Sequence, residues 1–461
     1  MDSSDSAHLR PDSTWWRRRT GDSDVVVAGS PLRFFRIGAR GHGAIDIIER
    51  GGWPEAADEL VARLIGAGAV HPLPVGSGAL SEVTVVIPAR DEDHANLRRL
   101  VEAFGDCASV VIVDDGSRIP LPELSGSRII RRDTSGGPAA ARNAGLAAVA
   151  TRRVLFCDAD VSVDRDAVGS MLPALLGHLA DPRVVAAAPR VESTLGSSML
   201  ARYEVASSPL DMGGEPALVR AGTRVSYVPS ACVLFDAERL RAAGGFDEGL
   251  RYGEDVDVIW RLSESGAWVR YEPTVRVSHR PRGSWLAWWR QRVGYGSAAA
   301  DLDSRHPGSV APLRLNRWSL ATWGAPAVLP LPFGGLVGVA AAAGSTMRLA
   351  QKLGGGAEGR AIAIRLAGRG NLFAIRSIAA AITRVWWPVA ALAALVSRRW
   401  RRIVLMAIVI RLTDDRREAG RDLDPMSRAT IRLADDLAYG CGVWKGSLSK
   451  RRLGALRPVI E

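Results

Sequence analysis

At 461 residues the chain is too long for one ordinary core, so two or three domains are expected. Hydrophobic residues make up 47% and mean hydropathy is near zero, which is high for a soluble protein and brings lipid contact into view. The formal charge of +11 is local: residues 348–461 hold 22 Lys+Arg against 9 Asp+Glu, and the remainder 38 against 40. These basic residues alternate with apolar blocks and form no polar stripe, so an anionic membrane surface is the expected partner and nucleic acid is not. Cys107, Cys157, Cys232 and Cys441 lie far apart without a C-x-x-C pair, which argues against a zinc knot and a disulfide framework and for a reducing, cytoplasmic setting. Residues 1–10 are polar and acidic, with no apolar h-region, so no secretory signal is expected.

In chain order, residues 24–36 read as a hairpin turning at Gly29-Ser30-Pro31. Two helical patterns follow near 43–50 and 55–66, with Gly68, Pro72 and Pro74 as stop signals. This segment, residues 1–80, resembles the PqqD-like winged-helix modules that bind leader peptides. A small packed cap on an enzyme would show the same pattern. From Val83 the texture becomes strand-helix alternation: strands over 83–88, 110–115 and 154–156, and helices over 95–104 and from Pro138. Residues 227–236 return to strand character, and 275–279 read as a strand ending in His279. Short all-apolar strands with intervening helices imply a buried, mostly parallel sheet in an α/β domain spanning residues 81–310. The basic, apolar region 311–461 is expected to be helical and membrane-proximal. Within it, 319–347 is uncharged but interrupted by Pro326, Pro330 and Pro332, so spanning, re-entrant and interfacial arrangements are all open to it.

The chemistry lies at the strand ends. Pro88-Ala89-Arg90-Asp91-Glu92, Asp114-Asp115-Gly116-Ser117, Arg142-Asn143 and Asp158-Ala159-Asp160 would cluster along one carboxyl edge, where an α/β sheet places its ligand. Two carboxylates flanking one small residue can both face a divalent cation with a phosphate or ribose beside it. Acidic groups can accept from a base or from ribose hydroxyls, and Arg142 can meet phosphate. No P-loop lysine motif and no G-x-G-x-x-G turn is present, so ATPase and dinucleotide-dehydrogenase readings lose their main supports.

These motifs, in order and followed by Gly244-Gly245-Phe246-Asp247-Glu248 and Tyr252-Gly253-Glu254-Asp255, resemble the inverting family 2 glycosyltransferases with a GT-A fold. The resemblance implies that Asp160 and His279 bind Mn2+ or Mg2+. It implies that Asp255, with Glu254 as runner-up, is the general base. Pro88, Arg90, Glu92, Asp114, Asp115, Arg142 and Asp158 would form the nucleotide-sugar pocket. Gly245, Phe246 and Asp247 would lie on the acceptor side, joined by Trp288, Gln291 and Arg292 of a predicted helix. Processive family members carry Gln-x-x-Arg-Trp there, whereas this chain has Gln291-Arg292-Val293-Gly294-Tyr295-Gly296, which puts long-polymer synthesis in doubt.

Taken whole, the head, catalytic domain and arginine-rich tail, with Arg384-Val385-Trp386-Trp387-Pro388 and Asp435-Asp436-Leu437-Ala438-Tyr439-Gly440, resemble the glycosyltransferases of the mycofactocin system. That resemblance implies a UDP-sugar donor, with UDP-glucose expected, and a peptide-derived redox cofactor as acceptor, decorated with a β-linked oligosaccharide at the inner face of the membrane. Two other readings stay open: a membrane-associated family 2 enzyme acting on a cell-envelope glycan or glycolipid, and a catalytically silent scaffold. The intact Asp158, Asp160, Asp255 and His279 argue against silence.

Overall fold

The computed structural model describes residues 8–20, 23–55, 57–74, 76, 78–413 and 423–461. Residues 1–7 of the polar N-terminus and Ala56 in the second helical pattern lie outside the described residues. The chain divides into two compact units, one of residues 1–197 with 207–281, the other of residues 198–206 with 282–461.

In the first unit, the β-branched run at Val83–Ala89 pairs in parallel with Ser109–Asp115 on one side and Arg153–Cys157 on the other, and Arg128–Arg132 extends the sheet beyond Ser109–Asp115. On the far side of Arg153–Cys157 comes Cys232–Asp236, then Val184–Ser193, then Trp268–His279. Only Cys232–Asp236 and the two-residue strands Val161–Ser162 and Ala217–Leu218 run against the rest, so the sheet is mixed but mostly parallel. Val85, Val86, Ile112, Leu155 and Phe156 are fully buried, as a sheet covered on both faces requires. The strand expected over 227–236 begins at Cys232. Pro229 has no N–H for the ladder, and Trp260 Nε1 takes the Ser226 carbonyl.

The head places a three-stranded antiparallel sheet, Trp16–Thr20, Ser23–Ala28 and Arg33–Gly38, beside helices His42–Glu49 and Asp58–Gly66. A second ribbon pairs His8–Pro11 with Val70–Leu73. Head residues Val26, Phe35, Ile48 and Leu64 belong to the same continuous apolar core as Val85, Leu155 and Leu234 of the large sheet. A buried polar chain also crosses this junction. Arg224 donates to Asp12 at 2.9 Å, Asp12 meets His71 Nε2 at 3.0 Å, and His71 Nδ1 faces Arg270 at 3.3 Å. Burial depresses His71 to about 4, so its imidazole is neutral at pH 7.

The second unit is helical. Helix Trp285–Ser297 packs on Pro425–Lys450 through glycines: a Cβ at Gly296 would run into the Tyr439 carbonyl, and one at Gly442 into that of Val293. The stretch 319–347 breaks into Arg317–Val328 and Leu331–Lys352 at Leu329-Pro330. Arg399 donates to the carbonyls of Pro326 at 2.8 Å, Val328 at 3.1 Å and Leu329, closing the helix end that the prolines leave open. By length and composition Pro332–Lys352 could cross a membrane.

Candidate functional site

The register brings the strand ends to one edge. Ala89 pairs with Asp114, Cys157 with Cys232, and His279 with both Ser193 and Val161. Where the first strand ends, Asp91 sits at φ +52, a left-handed conformation costly for a non-glycine residue. Its neighbours fix it there: the Asp91 N–H donates to Ser117 Oγ at 2.9 Å, and its carboxylate accepts the Arg118 N–H at 2.9 Å. Pro88 and Glu92 are half-buried beside this turn, and the exposed Arg90 donates to Ser135 Oγ at 3.1 Å.

Asp114 and Asp115 hold the next two loops. Asp114 accepts from the N–H groups of Ser117 at 2.9 Å and Leu121 at 3.2 Å and from Arg131. Burial pushes its carboxyl up, but these donors outweigh it and hold it below the ordinary range. Asp115 accepts from Ser135 Oγ at 2.7 Å, Gly136 N at 3.0 Å and Gly137 N at 2.9 Å, shaping the turn before helix Pro138–Ala147. Both carboxylates therefore act on their surroundings through the loops 116–121 and 135–137. Ser117, already on the strand-end motif, is joined by Arg131 and Ser135, which the sequence reading missed because the pairing of Arg128–Arg132 with Ser109–Asp115 is what brings that segment to the site.

At the centre lies Arg142, buried on helix Pro138–Ala147. Its guanidinium donates to Asp158 Oδ1 at 2.8 Å and Glu254 Oε1 at 2.8 Å, joining the third strand end to the start of helix Glu254–Glu264. Gly253, at φ +79, makes the left-handed turn that starts that helix, and no side chain is accommodated there without strain. Asp255 then sits in the first turn, where the helix dipole favours an anion, and its Oδ1 accepts the Val256 N–H at 2.8 Å. Asp160 Oδ2 lies 3.1 Å from His279 Nε2.

The electrostatics are unbalanced. Burial raises Asp158, Glu254 and Asp255, with Glu254 reaching about 7 as the Asp255 charge adds to burial and Arg142 opposes it. Arg142 itself is held more firmly protonated than usual, because Asp158 and Glu254 outweigh its burial. Asp158 and Glu254 thus share the Arg142 guanidinium, with Asp255 in its field, and Asp160 lies beside His279. An excess of carboxylate beside an imidazole is the donor chemistry that accepts a hard or borderline divalent ion. Among the described residues no group of three or more His, Cys, Asp or Glu side chains forms a closed metal cage, so a cation held by Asp160 and His279 would draw its other ligands from substrate and water.

Of the residues expected to face the acceptor, Gly245, Phe246 and Asp247 form a loop held by Asn143, which sequence reasoning left without a role. Trp288 and Arg292 lie inside the helical unit. The indole donates to Glu204 at 2.8 Å, while Arg292 pairs with Glu204 and, at 3.0 Å, with Asp435. Gln291 donates to Tyr295 Oη at 3.0 Å.

Against known proteins, the family model described as Glycosyl transferase family 2 matches residues 84–201. Pre-mycofactocin glycosyltransferases from Mycobacterium tuberculosis, strains CDC 1551 / Oshkosh and ATCC 25618 / H37Rv, are each 38% identical over 458 residues, covering 96% of this chain and 96% of theirs. Among solved structures, the mannosyltransferase PcManGT from Pyrobaculum calidifontis in complex with GDP-Man and Mn2+ aligns at 16% identity. It covers 78% of this chain and 89% of that one, with a TM-score of 0.37.

Proposed function

Because the chain belongs to the pre-mycofactocin glycosyltransferase family and is a glycosyltransferase, we propose that it moves a hexose, glucose by preference, from a UDP-sugar to mycofactocin or its precursor, with inversion to a β-linkage. The observation that carries this reading is the Arg142 bridge: one buried guanidinium ties Asp158, on the donor side, to Glu254, at the start of the helix bearing Asp255.

Each residue then has a task. Asp158, oriented by Arg142, faces the nucleotide sugar, while the loops set by Asp91, Asp114 and Asp115 wall the nucleoside end. Asp160 and His279 would hold Mn2+ or Mg2+, which when bound offsets the negative charge that develops on the leaving diphosphate. Asp255 takes the proton of the acceptor hydroxyl as that oxygen attacks C1 from the face opposite the nucleotide. Its raised affinity for a proton suits a base working near neutrality. Glu254 shares the guanidinium and sets the charge beside it. Trp288 and Arg292, anchored on Glu204 and Asp435, act by fixing the helix that carries Gln291.

A second reading draws support from the exposed apolar side chains Phe333, Leu336, Phe373, Leu395 and Val396 and from Arg398, Arg401 and Arg402, exposed just after Val396 in the chain. Such a surface suits an anionic bilayer on the cytoplasmic side, and a lipid-linked acceptor would also be met there. Mass spectrometry after incubation with UDP-glucose and Mn2+ separates the two: hexose increments on pre-mycofactocin are expected, and increments on a polyprenyl lipid alone would replace the first reading by the second. Asp255→Asn should lower the rate at least about 100-fold. A rate within a few fold of wild type would remove Asp255 as base.

A further inference from the structure

Helix Pro138–Ala147 carries two consecutive polar side chains with different reach. Arg142 joins Asp158 to Glu254, and Asn143 turns to the loop 244–249. Its carboxamide pairs with the backbone of Phe246 in both directions: the Phe246 N–H donates to Oδ1 at 2.9 Å, and Nδ2 donates to the Phe246 carbonyl at 2.8 Å. Nδ2 also donates to Glu248 Oε1 at 2.9 Å. Asparagine alone suits this place, because alanine offers neither function and aspartate cannot donate. The fit is close on the loop side too: at Gly245, φ +65, a Cβ would stand 2.7 Å from Asn143 Oδ1.

The loop so held is connected to the reacting groups. The Phe246 ring is buried edge-on against Phe156, with centroids 5.1 Å apart, and the Arg142 guanidinium carbon lies 5.5 Å from its centroid. Phe246 is thus the floor under the guanidinium that joins the donor-side carboxylate to the helix of Asp255. The loop also leads directly through Gly253 into that helix. If it loosens, the base and Arg142 lose their common support.

We propose that Asn143 is a positioning residue whose carboxamide keeps the acceptor-side loop in register with the donor-side carboxylates, so that the reaction goes to an acceptor hydroxyl and not to water. The proposal rests on the hexosyl-transfer reading but fails separately from it. Water is small and attacks C1 from many positions, whereas an acceptor alcohol must be held in one. Loss of the tether should therefore spare donor hydrolysis and penalise transfer.

The test uses the full chain as wild type, Asn143→Ala, Asn143→Asp, and Asn143→Asp combined with Glu248→Gln. Free glucose and hexosylated pre-mycofactocin are measured together from UDP-glucose with Mn2+, and amide hydrogen exchange is followed over residues 244–253. In Asn143→Ala the transfer-to-hydrolysis ratio should fall at least tenfold and exchange over 244–249 should quicken at least tenfold. Asn143→Asp should behave alike, since it removes the donor and sets a carboxylate against Glu248. Adding Glu248→Gln supplies a donor facing that carboxylate, and should recover at least half of the ratio and of the protection. A ratio unchanged in Asn143→Ala, or transfer and hydrolysis falling by one common factor, overturns the proposal. If the wild type neither hydrolyses nor transfers from UDP-glucose, the hexosyl reading fails, and the exchange arm alone decides: unchanged exchange at 244–249 removes the tether as well.

Discussion

Glu254 shows at the scale of one residue what the crowding of carboxylates costs. Its folded-state value near 7 lies above the ordinary 4.5, because burial and the Asp255 charge outweigh Arg142. A carboxyl raised on folding binds its proton more tightly in the folded state. Its contribution to stability is therefore full below about 4.5 and is lost as pH rises from there to about 7. Glu254→Gln cannot ionise, so its stability relative to wild type should rise across that window and level off above it, by on the order of 2 kcal/mol. Thermal melts of both proteins at pH 5 and pH 8 measure this. A difference that does not change with pH would mean that Arg142 neutralises Glu254 fully. The motif carboxylates were legible in the sequence, because strand-end acids after apolar runs have few other places to go. Their division of labour was not: Asp114 and Asp115 are committed to the loops 116–121 and 135–137, which only three-dimensional register could reveal.

Among elements, the parallel strands and their helices could be read from β-branched runs and from the turn residues that close them, whereas the direction of one strand and the burial of one helix could not. Cys232–Asp236 runs antiparallel, and no local pattern of residues distinguishes that direction. Trp288 and Arg292 have helical spacing that looks like an exposed amphipathic face. They are buried because their partners, Glu204 and Asp435, come from helices far away in the chain. The same helix packs by glycine on Pro425–Lys450, and this packing yields a direct prediction. Gly442→Ala would press a methyl group into the Val293 carbonyl and should cost about 1–3 kcal/mol, seen as a lower melting temperature. Gly335→Ala, on an exposed helix where a Cβ meets nothing within 4 Å, should be neutral or slightly stabilising. Equal effects at the two positions would contradict the close packing.

For the molecule as a whole, the head residues Val26, Phe35, Ile48 and Leu64 share one apolar core with the sheet that carries the carboxylate edge. Composition signalled the basic, apolar tail, and its exposed Phe333, Phe373, Leu395 and Val396 give that signal a surface. Co-sedimentation with vesicles containing phosphatidylglycerol should be strong, and should drop at least tenfold when the exposed Arg398, Arg401 and Arg402 are all changed to Glu. Equal binding to neutral vesicles would remove the charge argument. The central claim is that the carboxylate edge of the sheet performs metal-dependent hexosyl transfer, and Asp160 tests it most directly. Its carboxylate faces His279 at 3.1 Å and is the group to which a cation is assigned. Hexose addition to pre-mycofactocin from UDP-glucose with Mn2+ is measured by mass spectrometry for wild type and Asp160→Ala, alongside circular dichroism. A folded variant whose transfer is at least 100-fold slower is expected, about the scale of one lost electrostatic contact to the leaving group. A folded variant that transfers hexose at the wild-type rate would contradict it.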